Sequence, residues 1–217
     1  MLPYTDLDKL SEVARQAFDA ANTAREEALS LSRELVRTSA NSIRATHRAH
    51  SEQARALLER ADELARSLIV YRERRPDIFF TGYVQDSLKE FAEARSVYAL
   101  VGGEPVPDAE ELDIPWAPYL NGLGEAVGEL RRHCLDLLRE GKTPRAQETL
   151  EAMDSIYSVL VTIDYPDALT GGLRRTTDMV RGILERTRAD LTTAVIQGRL
   201  ASDMARLSSQ FDAFRRE

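Results

Sequence analysis

The amino-acid sequence predicts an all-α protein, a bundle of six to seven helices of which several are long. Glycine and proline are few, 11 and 8 among 217 residues. The chain is rich in Ala, Leu, Arg and Glu, and runs of β-branched residues are nearly absent. Apolar residues also recur at helical spacing through most of the chain. No shift in composition marks a second domain, so residues 1–217 read as one unit long enough to bury a substantial core.

Taken in order, Thr5 and Asp6 are expected caps for a helix with Leu7, Leu10, Val13, Ala14, Ala17, Ala21, Ala24, Ala28, Leu31 and Leu35 along its apolar face. A break is expected around Ala49 to Ser51, followed by a second helix over about Glu52 to Arg74. Arg75-Pro76-Asp77 stops it, because the residue before proline avoids the helical region. Phe79 to Leu100 forms the next helix, ended by Gly102-Gly103. Glu104 to Pro118 carries prolines and acids without periodicity and reads as the one long connection. A helix from near Pro118 to Gly141, another from Thr143 to about Thr162, and a last one from about Leu169 to Phe214, with Gly182 and Gly198 as candidate bends, complete the chain. Tyr71, Phe79, Phe80, Tyr83, Phe91 and Tyr98 fall at helical spacing and read as core in preference to a base-stacking platform.

The single Cys134 has no partner for an internal disulfide or a cysteine zinc site and fits a reducing compartment. Neither a signal peptide nor a membrane span is visible, which gives the expectation of a soluble, cytoplasmic protein without membrane contact. A net charge of -7 argues against a generally basic surface, so any nucleic-acid contact needs locally concentrated cations. Walker, GxGxxG, GxSxG and HExxH signatures are missing, and His47, His50 and His133 do not form the Glu-x-x-His pairs of di-iron carboxylate bundles.

Two constellations remain. On the third predicted helix, Asp86, Glu90 and Glu93 share one stripe, Glu93 about 60° and Asp86 about 40° from Glu90. Like charges at this spacing repel, so the stripe is either a solvated face or one that meets a cation. Glu125 and Glu129 form a second pair among Gly122, Gly124 and Gly128, glycines that imply close approach of a backbone or ligand. Glu129 alone reads as an ion pair with Arg132 or His133; with Glu90 and Glu93 it reads as part of a four-carboxylate cluster suited to Mg²⁺ or Mn²⁺. On the first helix Arg33, Arg37, Arg44 and Arg48 fall within about 60° of one another over about 22 Å. His47 and His50 lie beside them. Glu34, projecting about 100° from Arg33, is the one acid between Leu29 and His50. The ribbon either pairs with acids of another helix or binds a row of phosphates.

Beyond these patterns, SRELVRTSANSIRATHR, KEFAEA (Lys89 to Ala94), YLNGLGEAVGELRRHC (Tyr119 to Cys134) and MDSIYSVLVTIDYPDALTGGLRRTTDMVRGILE resemble the translin and translin-associated factor X family, in order from about Leu29 to Ala194. The likeness is to a single-subunit, archaeal-type member. It implies an all-α subunit in a closed homo-oligomer, commonly an octamer, holding RNA or single-stranded DNA in its interior. In the nuclease branch four carboxylates on two helices bind a divalent metal and cleave RNA. Here Glu90 and Glu93 match the family's EYVEA-like motif, and Glu125 and Glu129 its ADLTGE-like motif. The nuclease branch has Asp where this chain has Glu125. Arg33, Arg37, Arg44, His47 and Arg48 match the family's basic first helix. The resemblance thus implies a Mg²⁺- or Mn²⁺-dependent endoribonuclease of short or single-stranded RNA, with a binding protein that does not cleave as the alternative. Asp86 falls outside the four.

Overall fold

In the computed structural model residues 7–215 are described, apart from the side chains at 212–214, and the Thr5 and Asp6 caps lie outside that range. The described residues form nine helices: α1 Leu7–His47, α2 Ser51–Ile69, α3 Tyr71–Arg74, α4 Pro76–Phe79, α5 Gly82–Gly102, α6 Trp116–Arg139, α7 Thr143–Leu160, α8 Asp167–Thr170 and α9 Leu173–Phe214. Six are long; the extra three are single turns of four residues, too short for hydrophobic periodicity to reveal. Gly171 and Gly172, both at positive φ, separate α8 from α9, so the last predicted helix begins at Leu173. Among the described residues no helix is long and apolar enough to cross a membrane.

Three of the long helices end in the same way. At the end of α5 the amide of Glu104 donates to Ala99 and that of Gly103 to Leu100, with Gly103 at φ 73°. At the end of α6 Lys142 donates to Leu137 and Gly141 to Leu138, with Gly141 at φ 74°. The α1 terminus repeats these bonds from His50 to Ala45 and from Ala49 to Thr46, but the left-handed residue is Ala49, at φ 57°. Glycine takes that conformation freely; an alanine Cβ does not.

The helices are arranged as a succession of neighbours. α1 lies against α2 and α5, α5 against α6, and α6 against both α7 and α9, which also touch each other. The core runs along these seams through Leu35, Leu64, Phe79, Leu88, Phe91, Leu130, Met153 and Leu160. Ile43, Leu58, Ala94, Val97 and Ala126 form a smaller cluster joining α1, α2, α5 and α6. The aromatic set departs from its expected place at one position. Phe79 and Phe91 are buried and Tyr71, Tyr83 and Tyr98 half-buried, but Phe80, which follows the last residue of α4, is 61% exposed. The first turns of α1 (Leu7, Leu10, Val13, Phe18) and the last of α9 (Ile196, Leu200, Met204, Leu207, Phe211) also leave their apolar side chains exposed.

Two glycines set the position of α6. A Cβ at Gly122 would stand 2.4 Å from the Lys89 carbonyl oxygen and 3.0 Å from the Glu93 amide nitrogen, so only hydrogen lets α6 approach α5 there. At Gly124 it would meet Thr176 Cγ2 at 2.4 Å and Leu160 Cδ1 at 3.2 Å. Gly128 departs from the expected close approach: nothing lies within 4 Å of its would-be Cβ.

Candidate metal centre and cationic face

The backbone contact at Gly122 falls between Lys89 and Glu93, and it brings the acids of α5 and α6 together. Glu90 and Glu93, one turn apart on α5, and Glu125 on α6 each offer an oxygen, and these oxygens lie within 4.8 Å of one another. That is the span of oxygens around one hard cation, and carboxylates are the donors Mg²⁺ and Mn²⁺ prefer. All three carboxyls are half-buried.

Burial and crowding leave an electrostatic mark. The Glu93 carboxyl is pushed up from an ordinary 4.5 to about 8, first by burial and then by the negative charges of Glu90, Glu125 and Glu129. Burial also raises Glu90, with Lys89 working against the shift. At neutral pH Glu93 therefore holds a proton unless a cation compensates its charge.

Lys89 supplies part of that compensation. Its Nζ donates to Glu125 Oε1 at 2.7 Å and stands 3.7 Å from Glu90 Oε1. Burial opposes the ammonium, but the hydrogen bond and charge of Glu125, with the charges of Glu90 and Asp86, outweigh burial and hold Lys89 above its usual range. The sequence pattern singled out acids and passed over Lys89. Its place directly before Glu90 was visible, but its reach to Glu125 depends on the α5–α6 contact.

Glu129 sits at the edge of this group. Its pairing is with His47, whose Nε2 lies 2.5 Å from Glu129 Oε2, in place of the expected Arg132 or His133. That hydrogen bond lowers the Glu129 carboxyl below its ordinary range despite partial burial. His47 departs from the ribbon for the same reason. Its side chain is 3% exposed, with Nδ1 unpartnered among the described residues. It therefore positions Glu129 and is not displayed beside the arginines. Asp86 is exposed and outside the group of three.

The arginine ribbon is a free cationic face. Arg33, Arg37, Arg44 and Arg48 are all exposed. Among the described residues none forms an ion pair, and Arg44 alone donates a side-chain hydrogen bond, to Asn41 Oδ1 at 2.5 Å. The nearest acid in sequence, Glu34, is taken by Arg60 of α2 at 2.9 Å. Arg48 lies just past the end of α1 but keeps a backbone bond to Arg44, so it extends the row. Arg44 and Arg48 flank His47, which ties this end of the face to the edge of the acid group.

Long helices crossing through glycine contacts, a three-carboxylate group between two of them and an unpaired arginine row on a third define a class of all-α protein with one acidic and one cationic site. No family model matches the chain. An uncharacterized protein of Methanocaldococcus jannaschii is 30% identical over 187 residues, 86% of this chain and 83% of that protein. The structure of AfC3PO in complex with duplex RNA superposes with a TM-score of 0.79 at 36% identity, covering 86% of this chain and 96% of that one. Apo-NeC3PO shares the fold at a TM-score of 0.77 and 24% identity, over 89% of this chain and 98% of that one. The chain belongs to the translin and C3PO family.

Proposed function

We propose that this protein is a divalent-metal-dependent endoribonuclease that acts on short or single-stranded RNA within a homo-oligomeric shell. The observation that carries the reading is the convergence of Glu90, Glu93 and Glu125 around one point, with Glu93 held protonated at neutral pH by burial and by its acidic neighbours. Those three carboxylates would hold Mg²⁺ or Mn²⁺, and Glu129 supplies a fourth at the edge. Such an ion would supply a more acidic coordinated water and charge stabilisation at the phosphoryl group. The chain's own contribution is placement. His47 fixes Glu129. Gly122 fixes the distance between the two acid-bearing helices. Arg33, Arg37, Arg44 and Arg48, free of acidic partners, take backbone phosphates. That the similar AfC3PO holds duplex RNA supports RNA as the partner. The exposed apolar side chains at the start of α1 and the end of α9 support self-association.

The second reading is a protein that binds RNA or single-stranded DNA without cutting it. One observation favours it: Lys89 already places an ammonium on Glu125, at a position where the nuclease branch resembled by this sequence carries the shorter Asp. The two readings separate in a cleavage assay on labelled single-stranded RNA with Mg²⁺ or with EDTA. The nuclease reading expects metal-dependent products from wild type and loss of at least a hundredfold in rate for Glu90→Gln. Intact RNA with wild type leaves the binding reading, and equal cleavage rates for the two proteins would take Glu90 out of the site.

A further inference from the structure

Beyond the acid group, a groove of about 780 Å³ opens on the α5–α6 side of the molecule. Lys89, Glu125 and Asp86 line it together with Phe80, Trp116 and Arg175, so it is continuous with the acid group at the Lys89–Glu125 pair. Phe80 and Trp116 are 61% and 52% exposed, so the groove carries two bare aromatic rings. Each ring is braced by a neighbour: Phe80 meets Phe79 edge-on at 5.0 Å between ring centres, and Trp116 meets Tyr119 edge-on at 5.7 Å. The bracing partners Phe79 and Tyr119 are buried, so the exposed rings are held in place by the core. Arg175 is exposed, and its guanidinium makes no hydrogen bond or ion pair among the described residues.

We propose that this groove receives the base of an unpaired nucleotide next to the phosphate that meets the acid group, a subsite that rests on the reading of that group as the place where RNA is cut. A nucleobase has the flat π-face that a preset aromatic ring can stack on. Arg175 matches the phosphate carried by the same nucleotide, because its guanidinium forks onto phosphate oxygens. Asp86 and Glu125 at the inner wall repel an anion, which puts the base against the aromatic rings and leaves the guanidinium as the phosphate contact. A base inside a continuous duplex is stacked on its neighbours and cannot enter, so the groove selects single-stranded, terminal or mismatched nucleotides.

Trp116 is the only tryptophan in the chain, so its fluorescence reports on this groove alone. The dinucleotide ApA is titrated into the full-length Glu90→Gln variant in EDTA, where no cleavage occurs, with ribose 5-phosphate as the probe lacking a base. The expected result is saturable quenching by ApA, none by ribose 5-phosphate, and binding about tenfold weaker in Phe80→Ala and in Arg175→Ala, two exposed positions whose folding is checked by circular dichroism. Absence of quenching by ApA at millimolar concentration, or folded Phe80→Ala and Arg175→Ala proteins that bind ApA as tightly as the protein without these substitutions, overturns the subsite. Because the measurement needs neither metal nor turnover, ApA binding without RNA cleavage would defeat the nuclease reading alone. Cleavage without ApA binding would defeat the subsite alone.

Discussion

Replacing Glu93 by Gln is expected to stabilise the metal-free protein at neutral pH while removing its capacity to hold a cation. The carboxyl titrates at about 8 in the folded protein against an ordinary 4.5. Between those values the native state keeps a proton that the unfolded chain has released, so stability is fully present below pH 4.5 and is lost as pH rises through this window. At pH 7 the interval is about 2.5 pH units, worth roughly 3.4 kcal/mol at 1.36 kcal/mol per unit. Solvent reaching the partly exposed carboxyl trims this, and about 2 to 3 kcal/mol is expected. Glutamine has the same shape and does not titrate. In EDTA the variant should therefore match wild type near pH 4.5 and exceed it at pH 7, by roughly 5 to 10 °C in Tm for a chain of this size. Thermal unfolding followed by circular dichroism at several pH values measures this directly. A gap in Tm that does not change with pH, or a variant less stable than wild type at pH 7, would refute the account of Glu93.

Three further outcomes follow from individual contacts. Gly122→Ala should cost about 3 kcal/mol, since its Cβ would fall 2.4 Å from a backbone oxygen that cannot swing away, whereas Gly128→Ala, in open space on the same helix, should stabilise by about 0.5 to 1 kcal/mol; denaturant unfolding of the pair reads the opposite signs. Ala49→Gly relieves a left-handed alanine and should add about 1 kcal/mol by the same assay. Arg37→Glu should weaken RNA binding and lower the slope of log affinity against log salt by about 1 to 2, as a lost and then repelled phosphate contact requires, measured by fluorescence anisotropy over a salt series.

Local chemistry made much of this architecture legible. The proline at 76 and the glycines at 103 and 141 act over neighbouring residues, so the helix ends they set could be placed from sequence. Single-turn helices could not, because one turn has no period. The acidic stripe on α5 and the pair on α6 were also local patterns, but their meeting depends on a backbone approach at Gly122, for which a glycine in a helix was only a pointer. Gly128 gave the same pointer and meets nothing. Contacts between distant positions stayed hidden: the 2.5 Å pairing of His47 with Glu129 spans 82 residues, and nothing beside either one announces the other. Lys89 was passed over because a lysine before a glutamate is common on solvated helices, and only its approach to Glu125 gives it a place in the site. Phe80 shows the limit of spacing arguments, since it shares the helical phase of core residues but lies beyond the end of its helix.

The central claim is that Glu90, Glu93 and Glu125 form one divalent-cation site, and calorimetric titration with Mn²⁺ tests it most directly. Run at pH 7 in buffers of different ionisation enthalpy, wild type should bind Mn²⁺ and release about one proton per ion as Glu93 gives up its own, while Glu93→Gln should bind far more weakly and release none. Absence of Mn²⁺ binding by wild type, or binding by Glu93→Gln with the same affinity and the same proton release, would contradict it.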